Sequence, residues 1–187
     1  MPDARYSDEQ ILERVRDAHS REQGFRMLLD AYQERLYWHI RHLVGGHDDA
    51  SDVLQNCLLN VVRGIGQFEG RSALYTWLFR IASNEAMTFL GRRQRQAAAS
   101  LDEEEEGAVR ALQADPWFDG DALQGALQQA LQQLPDRQRQ VFTLRYFDEL
   151  SYRDIAEILD ISEGALKASF HHAAKKIERY IEENGTG

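Results

Sequence analysis

The chain has 187 residues, of which 43% are hydrophobic, and it carries a net charge of −9 with a single cysteine, Cys57. The hydrophobic fraction excludes a wholly disordered chain, and one cysteine excludes an internal disulfide and suits a reducing compartment. The net charge of −9 by itself argues against nucleic-acid binding, but the charges are distributed unevenly along the chain. Residues 71–96 carry five basic and one acidic side chain, and residues 97–133 carry one basic and eight acidic. The chain therefore contains one candidate surface for a polyanion.

The N-terminal segment has no apolar core of a signal peptide, and no apolar run approaches the roughly 18 residues of a membrane span. We therefore expect a cytoplasmic protein that does not insert into a membrane.

Residues 1–96 are predicted to form a helical bundle. Ser7-Asp-Glu-Gln10 and Ser20-Arg-Glu-Gln23 have the Ser/Gln spacing of capping boxes at two helix starts. Gly45-Gly46 is predicted to end the second helix, and a third helix to start near Asp48 or Asp49. A fourth helix follows the loop 68–72, with Gly91 and the adjacent arginines predicted to close it.

Helical periodicity disappears at residues 97–120, which combine small residues, the acidic run Asp102–Glu106 and a proline. This composition is typical of a flexible acidic linker. Periodicity returns in residues 121–187, where Asp121, Asp136, Ser151 and Ser162 are predicted helix caps. The predicted fold is therefore all-α, with two small helical domains joined by the linker.

The segment LSYRDIAEILDISEGALKASFHHAAKKI, residues 150–177, has the pattern of a helix-turn-helix. A short capped helix, a turn of about four residues and a second capped helix are joined by an apolar seam. The second helix would present Glu163, Lys167, Ala168, His171 and Lys175 outward. An ordinary helical hairpin is the alternative interpretation, and DNA binding is favoured over it.

In the segment FEGRSALYTWLFRIASNEAMTFLGRRQR, residues 68–95, aromatic residues alternate with arginines. Aromatic faces stack on unpaired bases while arginines hold the phosphates, which suits single-stranded nucleic acid. Trp77 lies on the apolar stripe and is expected in the core. Tyr75 and Phe79 lie off the stripe, so at least one of them is expected to be exposed. The terminal arginines have a second interpretation, a solvated helix end.

Asp49, Asp52 and Gln55 recur at helical spacing and form a polar ridge, which is either a partner surface or a solvated helix face. His39, His42 and His47 match no recognised metal spacing, so we expect no metal. Neither a nucleophile–base pair nor a glycine-rich phosphate loop is evident, so we expect no catalysis and no cofactor.

These three segments, in this order and separated by a linker, resemble the extracytoplasmic-function (ECF) class of sigma factors, which give RNA polymerase its promoter specificity. The resemblance implies domains at 1–96 (region 2), 97–120 (linker) and 121–187 (region 4). It implies that HDDASDVLQNCLL binds the clamp helices of the polymerase largest subunit, and the core-binding candidates are Asp49, Asp52, Val53, Gln55 and Asn56. It also implies contact with the polymerase flap, an anti-sigma partner and a monomer when free.

The resemblance further implies that residues 68–95 melt and capture the minus-ten element, with a flipped base received by the loop 68–72. The minus-ten candidates are Phe68, Arg71, Ser72, Tyr75, Trp77, Arg80, Asn84, Arg92 and Arg93. The helix-turn-helix is implied to read the minus-thirty-five element, and the candidates there are Arg153, Ser162, Glu163, Gly164, Lys167, Ala168, His171 and Lys175.

Four positions depart from the family pattern. Asn56 stands where the family usually has Glu, and Ser169, His172 and Ala174 stand where it usually has basic residues. Fewer phosphate contacts predict weak minus-thirty-five binding by the isolated second domain. The acidic linker has two interpretations, a mimic of nucleic acid in a polymerase channel or a solvated spacer, and the spacer is favoured.

Two other functions were weighed against a sigma factor. A conventional helix-turn-helix regulator with a sensing or dimerising bundle would bind duplex DNA unaided, but it has no need of the basic, aromatic segment. A purely protein-binding adaptor has no need of the capped helix-turn-helix.

Overall fold

The computed structural model describes residues 6–99 and 122–184, with the side chains of residues 122 and 123 excepted. The described residues are helical, without strands, which confirms the predicted all-α class. The helices are α1 (Asp8–Arg16), α2 (Arg21–Val44), α3 (His47–Gly64), α4 (Leu74–Ala99), α5 (Ala122–Gln132), α6 (Asp136–Phe142), α7 (Tyr152–Leu159) and α8 (Glu163–Asn184). In these ranges no helix is long and apolar enough to cross a membrane.

Only the first of the two predicted capping boxes forms. Ser7 Oγ accepts from the Gln10 backbone N–H at 3.2 Å, and Gln10 Oε1 accepts from the Ser7 N–H at 3.0 Å. Ser20 Oγ instead donates to Asp17 Oδ2 at 2.7 Å. The neighbouring carboxylate therefore takes the hydroxyl that the pattern assigned to α2, and the second prediction is wrong.

Two glycines of the first domain show when a glycine stops a helix. Gly45 has φ of 90° and ends α2, as predicted, because this left-handed backbone strains any residue with a Cβ. The prediction that Gly91 ends α4 is wrong. The helix continues to Ala99, so the first three residues of the predicted linker are helical. A glycine in a helix interior costs only about 1 kcal/mol, too little to stop a long helix.

The second domain follows the predicted order of helices. Ser151 Oγ accepts from the Asp154 N–H at 3.1 Å and caps α7, as predicted. Asp136 is the first residue of α6 rather than its cap, a position that Pro135 occupies. A π-helical turn, Thr143–Phe147, follows α6. The predicted cap at Asp121 and the acidic run of the linker lie outside the described residues.

The two domains pack against each other. One hydrophobic cluster contains Leu36 and Phe79 of the first domain together with Leu144, Ile155 and Leu166 of the second. A separate cluster lies inside the second domain, between α5, α6 and α8. The buried core is therefore continuous across the boundary between the domains.

Candidate nucleic-acid interface

The helix-turn-helix is built by α7 and α8. Ile155 and Leu166 are fully buried between the two helices, and Asp160 makes the turn with φ of 55°. The left-handed backbone at Asp160 suits a short polar side chain. A rigid turn of this kind fixes the direction in which α8 leaves the domain.

The outward face of α8 is accessible. Ser162 Oγ accepts from the Ala165 N–H at 3.4 Å at the helix start. All the residues of this segment that the sequence marked as DNA contacts are exposed: Arg153, Ser162, Glu163, Gly164, Lys167, Ala168, His171 and Lys175. The first turn of α8 is therefore accessible, with Glu163 in it and the exposed Lys167 one turn further along. Backbone N–H groups at a helix start together with a nearby cation attract phosphate.

The basic, aromatic segment is far less exposed than its pattern indicated. Phe79 is fully buried, where its ring makes an edge contact with His39 at 5.1 Å. Tyr75 is half-buried, and burial raises the pKa of its hydroxyl. The expectation that Tyr75 or Phe79 is exposed is therefore wrong. Trp77 is half-buried, with its ring 5.3 Å from that of Phe68.

The loop before α4 is split between core and surface. Phe68 is 7% exposed, and its carbonyl accepts from Arg16 at 2.7 Å, so its ring supports the first domain rather than facing solvent. Ser72 is half-buried. Arg71 is exposed, and its guanidinium pairs with the Glu69 carboxylate at 2.6 Å.

Among the polar candidates on α4, Asn84 and Arg92 are exposed. Arg80 donates to the backbone carbonyl of Glu157 on α7 at 2.6 Å, so it is held by the other domain. Arg93 donates to Asp49 Oδ2 at 3.2 Å. That ion pair joins the basic end of α4 to the acidic ridge of α3.

The acidic ridge lies at the start of α3. Asp52, Gln55 and Asn56 are exposed, and Asp49 is half-buried. Val53 is 2% exposed and packs in the core, so it offers no surface to a partner. The remaining four polar side chains form a continuous accessible patch.

Two family descriptions match the chain, "Sigma-70 region 2" over residues 28–96 and "Sigma-70, region 4" over residues 124–177. The RNA polymerase sigma-H factor of Pseudomonas aeruginosa is 32% identical over 183 residues, covering 94% of each chain. The ECF RNA polymerase sigma-E factor of Haemophilus influenzae is 30% identical, covering 94% of this chain and 96% of that one.

The chain belongs to the sigma-70 family. It is an ECF sigma factor, which directs core RNA polymerase to promoters and initiates DNA-templated transcription. The region 2 match covers the bundle that the alternative interpretation made a sensing domain, so a conventional regulator is excluded. Sigma factors are specificity subunits without an enzymatic reaction of their own.

The fold is also that of a solved sigma factor. The structure of RpoE in complex with the anti-sigma factor NepR from Bartonella quintana superposes with a TM-score of 0.72 at 25% identity. The match covers 86% of this chain and 98% of that one.

One accessible feature of the sigma factor was not predicted from the sequence, an apolar groove beside the acidic ridge. Leu59 and Val62 are 52% and 53% exposed. With Phe25, Leu58 and Gln55 they line a groove of about 340 Å³ between α2 and α3. The signal was present, because Gln55, Leu59 and Val62 recur at helical spacing. It was missed because the periodicity was assigned only to the buried stripe.

Two buried groups in the first domain have shifted pKa values. Burial, with the neighbouring charges of His39 and Arg41, lowers the pKa of His42 to about 3. Burial raises the pKa of the Cys57 thiol to about 12. Within residues 6–99 and 122–184, no three His, Cys, Asp or Glu side chains are grouped to hold a metal ion.

Proposed function

We propose that three surfaces of this sigma factor divide the work of initiation. The ridge Asp49, Asp52, Gln55 and Asn56 binds the clamp helices of the polymerase largest subunit. The α4 face captures the minus-ten strand, and the exposed face of α8 reads the minus-thirty-five duplex. The observation that carries this division is the exposed ridge on α3, joined through the Asp49–Arg93 ion pair to the basic end of α4. A polymerase seated on the ridge would hold α4 next to the melted DNA.

For the minus-ten surface, Arg71, Arg80, Arg92 and Arg93 supply positive charge that would hold the backbone of a separated strand. Asn84 is the exposed polar group beside them, and Ser72 lies in the loop. Tyr75 and Trp77 are half-buried, and unpaired bases would stack on their rings once the covered face of each ring becomes accessible. The buried ring of Phe68 would anchor the loop 68–72 in the core of the first domain.

For the minus-thirty-five surface, Lys167 and Lys175 would contact phosphates, while Glu163, Ala168 and His171 face the base edges. Arg153 would contact the backbone from α7. Ser162 and Gly164 bring backbone N–H groups at the start of α8 close to phosphate.

The domains are proposed as residues 1–96, 97–120 and 121–187, working in the cytoplasm as a monomer when free. The linker is proposed as a solvated spacer. Neutralising Glu103–Glu106 and measuring abortive transcripts tests this, since unchanged initiation supports a spacer and changed initiation supports a nucleic-acid mimic.

We also propose that the chain is inhibited by an anti-sigma factor and contacts the polymerase flap through its second domain. The first part is supported by the similar RpoE, which was solved in complex with the anti-sigma factor NepR. Sigma function does not depend on catalysis, and none is proposed.

Reconstitution with sigma-free polymerase core tests the proposal. Wild-type protein is expected to form a complex and start transcription at specific promoters. Gln55→Ala and Asp52→Ala are each expected to weaken core binding by roughly tenfold, the scale of one interface contact of about 1.4 kcal/mol. Glu182→Ala, an exposed acid on α8, is the control. Equal core binding by all four proteins would refute the ridge as the core-binding surface.

A further inference from the structure

The loop 68–72 is held at its first residue by three different contacts. The Phe68 N–H donates to the Ile65 carbonyl at 3.2 Å, and the centroid of the Phe68 ring lies 5.3 Å from that of Trp77. The Phe68 carbonyl accepts from the Arg16 guanidinium at 2.7 Å, in partly buried surroundings. Arg16 and Phe68 are 52 positions apart in the chain, so this last bond joins the end of α1 to the start of the loop.

The next three residues, Glu69–Arg71, are exposed and form the loop tip. Gly70 has φ of 71°, and a Cβ at this residue would meet no described atom within 4 Å. The ion pair between Arg71 and Glu69 at 2.6 Å lies within the tip itself. The tip therefore projects into open space, and the direction in which it leaves the core depends on how Phe68 is held.

The position of Arg16 is fixed in turn by the packing of α1 on α2. Arg16 is the last residue of α1, and Ile11 and Val15 of the same helix are buried. At Gly24 the two helices approach so closely that a Cβ there would lie 2.5 Å from the Val15 backbone nitrogen. Arg21 Nε donates to the Val15 carbonyl at 3.2 Å, which ties the end of α1 to the start of α2. The Arg16 side chain therefore reaches the loop from a well-defined backbone position.

We propose that Arg16 is a positioning residue for recognition of the minus-ten element. By holding the Phe68 carbonyl it sets the direction of the loop tip, and with it the shape of the pocket that receives a flipped base. Arg16 acts through Phe68 and does not itself contact the base. The recognition role rests on the proposed function of the loop 68–72, whereas the bond between α1 and the loop does not.

An arginine bond of this kind is expected to affect base discrimination more than average affinity. A charged donor makes a stronger hydrogen bond to a carbonyl than a neutral donor does, so the bond restricts the conformations of the loop. A pre-organised loop matches one base and adapts poorly to the other three. Loosening the loop therefore reduces the difference in affinity between the bases.

The first measurement needs no DNA and compares amide hydrogen exchange in full-length wild type, Arg16→Ala and Arg14→Ala. Arg14 is a second exposed arginine of α1 and donates to Gln23 of α2 at 3.4 Å, so its removal is a matched loss of charge away from the loop. Faster exchange of the amides of residues 68–72 is expected for Arg16→Ala and not for Arg14→Ala. Unchanged exchange in Arg16→Ala would show that the bond does not order the loop, and the proposal would be overturned.

The second measurement uses the polymerase holoenzyme and a promoter that the wild-type protein transcribes. Each base of the minus-ten element is replaced in turn, and discrimination is the ratio of open-complex formation on the preferred base to that on the best of the other three. Arg16→Ala is expected to lower this ratio about fivefold at one position, the scale of the net contribution of one hydrogen bond. Arg16→Lys keeps a charged donor and should restore most of the ratio, and Arg14→Ala should keep the wild-type ratio.

A double variant of the loop itself, Arg71→Ala with Ser72→Ala, separates this proposal from the proposed function. If the double variant loses discrimination and Arg16→Ala does not, the positioning role is overturned while the loop still receives the base. If neither loses it, the loop does not read the base and both fail. An equal loss of binding on every base in Arg16→Ala would show that Arg16 contacts phosphate, which also overturns the positioning role. Far-UV circular dichroism checks folding, and Arg16→Gln replaces Arg16→Ala if the alanine variant is unfolded.

Discussion

The helices α4 and α8 carry the two proposed DNA surfaces, and they differ in how much of that surface they present. Lys167, His171 and Lys175 on α8 are exposed, whereas Phe79 on α4 is fully buried and Arg80 is bonded to the other domain. The difference arises from position in the fold. The helix α8 packs against helices of its own domain, α5, α6 and α7, and buries Leu166, Ala173 and Ile177. The helix α4 is packed by α2 and α3 of its own domain and also by α7 of the other, and it buries eight residues. A helix that packs against both domains buries side chains that its own periodicity leaves outside.

The largest effect on stability is expected for Phe79, the fully buried residue of α4 in this comparison. Phe79→Ala should lower the free energy of unfolding by about 3–5 kcal/mol, because it leaves a cavity beside His39 and the core. Denaturant unfolding followed by circular dichroism measures this. Phe89→Ala, on the same helix but half-buried, is the control and should cost less. Equal losses would contradict the central position of Phe79.

The next largest effect is a pH dependence of the stability, which arises from His42 at the contact between the domains. The ring of His42 stacks on Phe147 at 3.8 Å, and its pKa is lowered to about 3 from an unfolded value near 6.5. Between about pH 3 and pH 6.5 the unfolded chain therefore binds a proton at His42 that the folded chain does not bind. Stability from this group is complete above pH 6.5 and falls as the pH falls towards 3. At pH 5 the loss should be about 2 kcal/mol.

Thermal unfolding of the wild-type protein and of His42→Phe, at pH 7 and pH 5, measures this loss. The variant keeps an aromatic ring and has no proton to bind, so its stability should fall less on acidification. His19→Phe is the control, because His19 is exposed and should leave the wild-type pH dependence unchanged. Identical pH dependence in His42→Phe and wild type would refute this role of His42.

A smaller effect is expected at the helix cap that positions the helix-turn-helix. Ser151→Ala removes the acceptor of the Asp154 N–H and should cost about 1 kcal/mol. Ser20→Ala should cost less, because Ser20 makes no side-chain bond to the start of α2. Chemical denaturation of the two variants in parallel checks the order, and the reverse order would contradict the capping geometry.

The smallest effect on stability is expected on the exposed helix. Lys167→Ala should leave unfolding unchanged and reduce the salt slope of promoter binding by the polymerase complex by about 0.9 in log–log terms. Lys176→Ala, about two and a half turns further along α8 and outside the proposed surface, is the control. Filter binding over a range of salt concentrations measures both, and an unchanged slope for Lys167→Ala would remove it from the phosphate contacts.

Isolated residues 121–187 sharpen the comparison between α4 and α8, because α8 would then bind DNA without the first domain and without polymerase. Three positions of α8 lack the basic residues usual in the family, so weak binding to a minus-thirty-five duplex is expected at physiological salt. Fluorescence anisotropy measures it. Nanomolar affinity would show that α8 reads DNA without polymerase.

Local interactions account for the features that were predicted correctly. The cap at Ser7, the cap at Ser151 and the left-handed end at Gly45 each depend on atoms within a few residues of one another, and all three are present. The two domain patterns and their order were readable for the same reason. The family match follows from those local patterns and does not depend on tertiary contacts.

Features that depend on more distant residues were predicted less well. The Ser20 hydroxyl turns to Asp17, Phe68 and Phe79 enter the core, and α4 continues past Gly91. The exposed Leu59 and Val62 are the opposite case, apolar residues that no helix within residues 6–99 and 122–184 covers. In each of these cases the spacing of hydrophobic residues shows which side chains share a helix face. It does not show which of those faces a neighbouring helix covers.

The sequence by itself determined that this chain is an all-helical sigma factor with a basic, aromatic segment and a helix-turn-helix. Helix periodicity, caps and charge are local and are written in consecutive residues. Only the tertiary structure decided that α7 packs on α4 and that His39 meets Asp148, which lies 109 positions further along the chain. Contacts at such separation depend on how whole surfaces fit, and that fit determines which of the proposed DNA-binding residues are accessible in the free protein.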